Sequence, residues 1–300
     1  MINIVYCSNE KYAKYLCVTL YSLIEHTNSE NNYNITILET DISDELKKDI
    51  LSLKNGKDYI NINFVNVKQM LDEKENDKLF CHLYFTKEMY LRIFIPNILK
   101  DCDKAIYIDI DTMIMDDIAK LYQIDLEDYY VAAAKDFNSI VNVKFFDSIN
   151  KYFNGCLKIK DMNNYFNSGV LLMNLQKLRE INVVQKTYDI LEKFKELLYP
   201  DQDVLNLICE DHVKIIDNNW NFVPLINVSL IQDETFQNLA AEWAIGLADR
   251  KLIHYISEEK PWDEPKRFYS AGWWKKAKET PVYQKLLSEY FQKHPEDLNP

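Results

Sequence analysis

An apolar run, Ala105-Ile106-Tyr107-Ile108, ends in Asp109 and Asp111 with a single Ile110 between them. In an extended chain alternate side chains project to one side, so both carboxylates would share a face while Ile110 turns to the other. Two carboxylates held that close raise each other's pKa unless a cation compensates them. A divalent ion that takes oxygen ligands, Mn²⁺ or Mg²⁺, does so. The alternative is an acidic turn leading into the next helix, with Asp116 or Asp117 as its cap. The buried strand in front of the pair favours the metal.

Three other stretches hold groups that would complete such a site. In KLIHYISEEKPW, residues 251–262, His254 interrupts an apolar strand. Alone, such a histidine is more often satisfied by a backbone carbonyl; beside an acidic pair it becomes a third ligand, and its nitrogen shifts the preference towards Mn²⁺. Lys260 follows, either to meet a diphosphate oxygen or to sit solvated at the surface. YPDQDVLNLI, residues 199–208, starts a helix with Asp201, Gln202 and Asp203. Capping and dipole complementarity account for the acids there, Asp203 in particular, but not for Gln202. YFNSGVLLMN sets Asn167, Ser168 and Gly169 at the mouth of a strand, the glycine marking a bulge or a close backbone approach.

The elements that must position these groups alternate. NIVYC, YNITILET, YININFVNV, KAIYI, YYVAAAK and SGVLLMN read as strands. Helical spacing runs through EKYAKYLCVTLYSLIEH, through SDELKKDILSLKN with Ser43 as N-cap and Gly56 past its end, and through TKEMYLRIFIPNIL up to Pro96. This pattern predicts an α/β fold on a mixed, mainly parallel sheet covered on both faces. Beyond about residue 262 the strand pattern stops and a helical tail is expected. Residues 1–262 are therefore expected to form the catalytic domain and 263–300 an extension.

Composition narrows the function. With 47% hydrophobic residues over 300 positions the chain can bury a large core, and a net charge of −12 argues against a nucleic-acid partner. Only five glycines occur, none close to another, so neither a GxGxxG nor a GxxxxGK[ST] phosphate cradle can form. A nucleotide bound here would need a metal to neutralise its phosphates. The six scattered cysteines and the lack of a basic, apolar leader lead to the expectation of a cytoplasmic protein.

Taken in order, NIVYCSNEKYAKYL, LYFTKEMYLRIFIP, KAIYIDIDTMIMDDIAKLY, YFNSGVLLMNLQKLRE, YPDQDVLN, HYISEEKPW and GWWKKAKETPVY resemble the family 8 glycosyltransferases over nearly the whole chain. These are retaining, metal-dependent enzymes of the GT-A fold, a Rossmann-like sheet. The resemblance implies Mn²⁺ held by Asp109, Asp111 and His254 and bridging the diphosphate of a UDP-sugar. It implies that Cys7, Asn9 and Tyr12 contact the uridine, and that Arg92 reaches the donor sugar and diphosphate, with Ile110 and Ser257 in the donor set. It places Asp136, Asn167, Ser168, Asp201 and Gln202 around the sugar, Gln202 near the anomeric carbon, and Lys260 on the leaving diphosphate. Asn9 and Lys11 depart from the frequent Asp and Asn of the family. Ser257 replaces a frequent glycine, with Glu258 and Glu259 adding charge beside it.

On that resemblance the acceptor is a glycan or glycolipid hydroxyl and the donated hexose glucose or galactose. An amide rather than a carboxylate below the ring favours front-side attack over a covalent intermediate. Two rivals stand. IYIDIDTMI also fits the spelling of a haloacid-dehalogenase-type phosphatase, although that motif normally lies on a first strand. A catalytically lapsed nucleotide-sugar binder is the other. The tail from Lys266 to Lys293 carries seven Lys or Arg against two Glu, with Phe268, Tyr269, Trp273 and Trp274. Either it rests on an anionic membrane surface, or it packs on the domain with its lysines in water.

Overall fold

The computed structural model describes residues 1–79, 87–224, 237–267 and 269–298. Cys81, Thr86 and Phe268 lie outside the described residues. The alternating pattern folds as expected into strands β1 (Ile2–Ser8), β2 (Tyr33–Glu39), β3 (Ile60–Asn66), β4 (Lys104–Ile108), β6 (Val131–Ala134) and β7 (Val170–Asn174). Three short strands join them: β5 (Thr112–Ile114), β8 (Val213–Ile216) and β9 (Leu252–His254). Seven strands form one sheet in the order β3-β2-β1-β4-β7-β6-β8. Only β7 runs antiparallel to its neighbours there.

Burial explains the order. The side chains of KAIYI and VLLMN are apolar almost throughout, and Ala105–Ile108 and Val170–Met173 are buried, as strands covered on both faces require. By contrast β3 alternates buried Ile60 and Ile62 with exposed Asn61 and Asn63, whose side chains donate to Asn34, so it suits the sheet edge. One apolar cluster, with Ile4, Tyr6, Leu16 and Ile106, fills one face; Val5, Tyr107, Leu171 and Leu205 belong to the other.

Helix boundaries follow local chemistry. Helix Glu10–Glu25 starts at Asn9, whose side chain accepts the Tyr12 N–H at 3.2 Å. Ser43 caps helix Asp44–Ser52 in the same way, and the chain leaves it through Asn55 and Gly56, both at positive φ. Pro96 sits inside helix Leu91–Ile98, which a 3₁₀ turn, Lys87–Tyr90, leads into.

The tail packs inward. Its helices are Ser270–Ala277 and Tyr283–Lys293. Trp273 is fully buried in the first cluster, Trp262 stacks on Tyr15 at 4.0 Å, and Trp274 donates to the Pro261 carbonyl at 2.8 Å. Lys266 and Lys293 pair with Asp297 and Asp263, and Lys276 with Glu25. Of the two expectations for this segment, packing on the domain is the one these contacts match. Among the described residues no helix is long and apolar enough to cross a membrane. Replacing a buried tryptophan by alanine costs about 3–5 kcal/mol. Trp273→Ala should lower the unfolding free energy by that amount in urea titration; a loss under about 1 kcal/mol would mean the tail is not part of the core.

Candidate active site

From β1 the chain runs outward to β2 and β3, then returns to β4 on the other side of β1. A sheet whose order reverses in this way opens a crevice at the carboxyl ends of the two strands, where ligands bind. Cys7 and Asn9 lie at one wall of that crevice, at the end of β1, and Asp109 lies at the other, just beyond β4.

His254 reaches the acidic pair through a two-stranded ladder. In it β5, immediately after Asp111, pairs antiparallel with β9, and Thr112 lies opposite His254. The Tyr255 N–H donates to the Asp111 carbonyl at 2.8 Å and closes the ladder. Buried Thr19, from helix Glu10–Glu25, donates its hydroxyl to the carbonyls of Ile110 and Thr112 and so fixes the acidic turn from below. Ile110 itself packs against the first apolar cluster.

His254 Nε2 lies 3.7 Å from Asp109 Oδ2 and 3.3 Å from Asp111 Oδ1. One ligand atom from each of the three residues lies within 4.8 Å of the others. The opposite ring atom, Nδ1, is 2.9 Å from the Asn221 Oδ1. With Asn221 accepting there, Nδ1 carries a proton, and Nε2 is the ring atom left to face the carboxylates and a metal. Backbone space is equally tight. A Cβ on Gly169 would fall 2.1 Å from His254 Cε1 and 2.7 Å from Asp109 Oδ2. Gly169 is thus a close approach, one of the two readings its position allowed. Two carboxylates, an imidazole with its outer nitrogen fixed, and a wall without a side chain together fit a divalent ion.

Each carboxylate has its own cation. Arg92 Nη2 is 2.8 Å from Asp109 Oδ1, and Lys260 Nζ is 2.6 Å from Asp111 Oδ2. Burial raises the Asp109 carboxyl, and Arg92 only partly counters it. Burial also works on Asp111, but Lys260 and His254 overcome it and hold that carboxyl far below the usual carboxylate range. Tyr107 donates a further short hydrogen bond to Asp109 and stacks its ring under the Arg92 guanidinium.

Arg92 does more than face a ligand. Its guanidinium also donates to the Ser168 carbonyl at 2.8 Å and hydroxyl at 2.9 Å, and its Nε is 3.0 Å from Asp201 Oδ2. It is buried among these partners and ties three expected site residues together.

Gln202 is held from both ends. Its Oε1 accepts from Asn167 Nδ2 at 3.2 Å and from the Ser168 N–H at 3.0 Å. Its Nε2 donates to Asp136 Oδ2 at 2.7 Å and to the Tyr165 hydroxyl at 3.2 Å. Asn167 Oδ1 in turn accepts from Asn221 Nδ2 at 2.8 Å, so one network runs from His254 to Gln202. Asp136 meanwhile caps helix Phe137–Phe145 through the Ser139 N–H.

The other expected donor contacts stand apart from this network. Burial pushes the Cys7 thiol up, and its side chain is half-buried. Asn9 serves as the helix cap described above, and Tyr12 packs beside Tyr15. Ser257 donates to the Glu259 carbonyl at 2.8 Å, and Glu259 pairs outward with Arg267.

Sequence reading missed Asn221, Thr19, Tyr107 and Tyr165 as parts of the site. The only signal for Asn221 is the run Asn218-Asn219-Trp220-Asn221, too polar for a core segment yet buried throughout. Asp203 also departs from its expected role at a helix start. It does accept the Tyr199 N–H, but it is fully buried and takes hydroxyls from Tyr152 at 2.5 Å and Tyr165 at 2.6 Å.

A model of the family described as "Glycosyl transferase family 8" matches residues 3–266. Over 231 residues, 74% of this chain, the sequence is 32% identical to a Haemophilus influenzae protein whose description names it a glycosyltransferase. The aligned part spans 64% of that relative's length. It is 24% identical to an Escherichia coli lipopolysaccharide 1,2-glucosyltransferase, over 91% of this chain and 76% of the relative. The fold is similar to that of the galactosyltransferase LgtC solved with donor and acceptor sugar analogs. There the TM-score is 0.75 at 24% identity, covering 93% of this chain and 96% of that one.

Two outcomes follow from the geometry. Gly169→Ala should abolish Mn²⁺ binding, read by the ion's electron paramagnetic resonance, because the methyl and the His254 ring claim one space; unchanged Mn²⁺ uptake would separate Gly169 from the cluster. Burial pushes the Asp203 carboxyl up to about 6, against the pull of Tyr152, Tyr165 and the Tyr199 amide. The folded chain then holds a proton that the unfolded chain, near 3.8, has released. Stability should fall as pH rises through that window, and Asp203→Asn should remove this part of the slope. Urea unfolding at about pH 4 and about pH 7 checks it; an equal slope in both proteins would exclude Asp203.

Proposed function

The chain belongs to glycosyl transferase family 8, and on that premise we propose that it moves a hexose, glucose or galactose, from a UDP-sugar to a glycan or glycolipid hydroxyl with retention of configuration. The observation that carries this reading is the convergence of His254 on Asp109 and Asp111 at the sheet crevice. Asp109, Asp111 and His254 would hold Mn²⁺, or Mg²⁺ in its place. When bound, the ion supplies positive charge for the departing diphosphate.

The protein's own groups do the rest. Lys260 has one carboxylate partner and one carbonyl partner, Asp111 and the Tyr255 oxygen, and from there it can turn to a diphosphate oxygen. Gln202 would face the sugar as a fixed dipole, because the four hydrogen-bonding positions of its carboxamide are taken by Asn167, Ser168, Asp136 and Tyr165. The nearby carboxylates are engaged: Asp201 by Arg92 and Ser168, Asp136 by Ser139 and Gln202. No unengaged carboxylate stands beside Gln202 among the described residues, which supports front-side attack over a covalent intermediate. In that step the anomeric carbon–oxygen bond breaks with its electron pair leaving on UDP. The acceptor oxygen bonds to the carbon on the same face, and its proton passes to the departing diphosphate oxygen.

Residues 1–262 would form the catalytic unit and 263–300 the extension that seats Trp273 against it. The five free cysteines among the described residues support a cytoplasmic setting. The lipopolysaccharide glucosyltransferase among the relatives supports a bacterial surface glycan as the acceptor class. Asp109 is already committed to Arg92 and Tyr107, which disfavours its use as a phosphatase nucleophile.

Thermal melting with UDP, UDP-glucose, UDP-galactose and UDP-N-acetylglucosamine, each with and without Mn²⁺, tests the reading. A ligand at a hundred times its dissociation constant stabilises by about 2.7 kcal/mol. UDP should raise the melting temperature only with Mn²⁺, and Asp109→Ala or Asp111→Ala should remove that rise. Slow hydrolysis of one UDP-sugar would separate an active transferase from a lapsed binder. Stabilisation by Mg²⁺ with phosphate analogues instead, together with hydrolysis of a simple phosphate ester, would sink the transferase.

A further inference from the structure

Asn221 touches both halves of the crevice, the metal side through His254 and the sugar side through Asn167. Its place is fixed by backbone. Phe222, the next residue, donates its N–H to the Leu252 carbonyl at 2.8 Å and accepts the His254 N–H at 2.9 Å. Asn221 and His254 are thus carried side by side on paired segments. The two are only 1% and 3% exposed, so a wrongly turned ring or amide would set buried polar atoms against like atoms. Each buried group left unpaired costs about 1–3 kcal/mol.

The direction of every hydrogen bond in this chain of groups is dictated, because two of the donors are backbone amides. A backbone N–H can only donate. The Gly169 N–H lies 3.0 Å from one amide atom of Asn167, which must be the oxygen. That same oxygen lies 2.8 Å from Asn221, so Asn221 must turn its Nδ2 towards it. Its Oδ1 is left for His254, 2.9 Å from Nδ1, and an oxygen acceptor there requires a proton on that nitrogen. On the other side Asn167 Nδ2 donates to Gln202 Oε1 at 3.2 Å, an oxygen identified independently by the Ser168 N–H at 3.0 Å. Two adjacent backbone amides therefore set the polarity of Gln202, Asn167, Asn221 and the His254 ring.

Asparagine at 221 suits this relay because one end accepts and the other donates. Leucine supplies neither, and an ionised aspartate only accepts. The two ends also meet different chemistry. A metal-ligating histidine is oriented by the partner of its outer nitrogen, and losing that partner costs about 10–100-fold in metal affinity. The donating end holds Asn167 against Gln202, whose own amide group then stays on Asp136 and Tyr165.

We propose that Asn221 is a positioning residue with two separable roles. Its oxygen turns His254 Nε2 to the metal, and its amide group holds Asn167 and Gln202 in place beneath the sugar. This rests on the transferase reading and deepens it by naming the side chain that joins the metal ligands to the sugar floor.

The test uses the full chain and reads two quantities. One is Mn²⁺ affinity with UDP present, from the ion's electron paramagnetic resonance; the other is slow hydrolysis of UDP-glucose or UDP-galactose at saturating Mn²⁺ and donor. Asn221→Leu removes both ends and should weaken Mn²⁺ binding by about 10–100-fold. Asn221→Asp keeps the acceptor for His254 and loses the donor for Asn167. Its Mn²⁺ affinity should stay within about threefold of wild type or rise, because a carboxylate is a common outer partner of a ligating histidine. Its hydrolysis rate should fall about tenfold or more. A merely structural asparagine would move both readouts together, and if Asn221→Leu does not fold, the split within Asn221→Asp decides alone. Unchanged Mn²⁺ affinity in Asn221→Leu, loss of Mn²⁺ affinity to the same extent in both variants, or full hydrolysis by Asn221→Asp would overturn the assignment. Failure of wild type to bind Mn²⁺ with UDP, or to hydrolyse either donor, would instead remove the transferase reading.

Discussion

Two carboxylates separated by one residue at the end of a buried strand are the charge around which the site is organised. Unaided, they would repel and take up protons. Lys260 more than offsets this at Asp111 and Arg92 offsets it in part at Asp109, at 2.6 and 2.8 Å. The two cations are not equivalent. Arg92 is buried and held by Ser168 and Asp201 as well as Asp109, so its charge is a fixed part of the frame. Lys260 is half-buried, on a loop, and among the described residues holds only Asp111 and one carbonyl. A lysine is a point charge on a flexible stem and can change partners, whereas a guanidinium bound on several sides cannot. An ion arriving between the carboxylates would displace the need for Lys260, and only for Lys260.

That arrangement depends on bringing His254 back across more than a hundred residues, which the ladder between β5 and β9 does by setting it opposite Thr112. The ladder is short, and side chains reinforce it. Thr19 holds the turn from the helix side, Asn221 holds the imidazole from the far side, and Gly169 leaves the ring room. A functional group this well supported reorganises little when charge develops beside it. The same logic extends to Gln202, whose orientation is set before any sugar arrives.

How much of this was legible in the sequence depended on the length of each signal. Long apolar runs such as KAIYI and VLLMN and the 16-residue helix after Asn9 show their period plainly, and the sheet followed from them. The three-residue β5 and β9 and the four-residue β8 are too short to show a period; β9 was read only because His254 interrupted it. Asp109, Asp111 and His254 were legible as chemistry, since like charges at a strand end call for compensation. Asn221, Thr19 and Tyr165 were not. Asparagine, threonine and tyrosine occur everywhere in a chain, and only tertiary contact separates a network member from a turn residue. Asp203 shows the opposite error: a helix start supplies a sufficient local reason for an acid, and local sufficiency concealed its burial beneath two tyrosines.

The Asp203 pair also bears on the chemistry, through Tyr165. By donating to Asp203, the Tyr165 hydroxyl presents a lone pair to Gln202 Nε2. With Asp136 accepting on the other side, both amide hydrogens of Gln202 point away from Asn167 and Ser168, which take its oxygen. A carboxamide so enclosed can neither swivel nor act as a carboxylate nucleophile, and its neighbours Asp136 and Asp201 are each bound to donors of their own. On the proposed reaction this would be a rigid polar floor beneath the sugar, with mobility kept for Lys260 at the phosphate end. The leaving group and the acceptor would then exchange on one face while the sugar stays in place. Rigidity under the ring and freedom at the diphosphate would be two halves of one design, and both would trace back to which of the two cations the fold has buried.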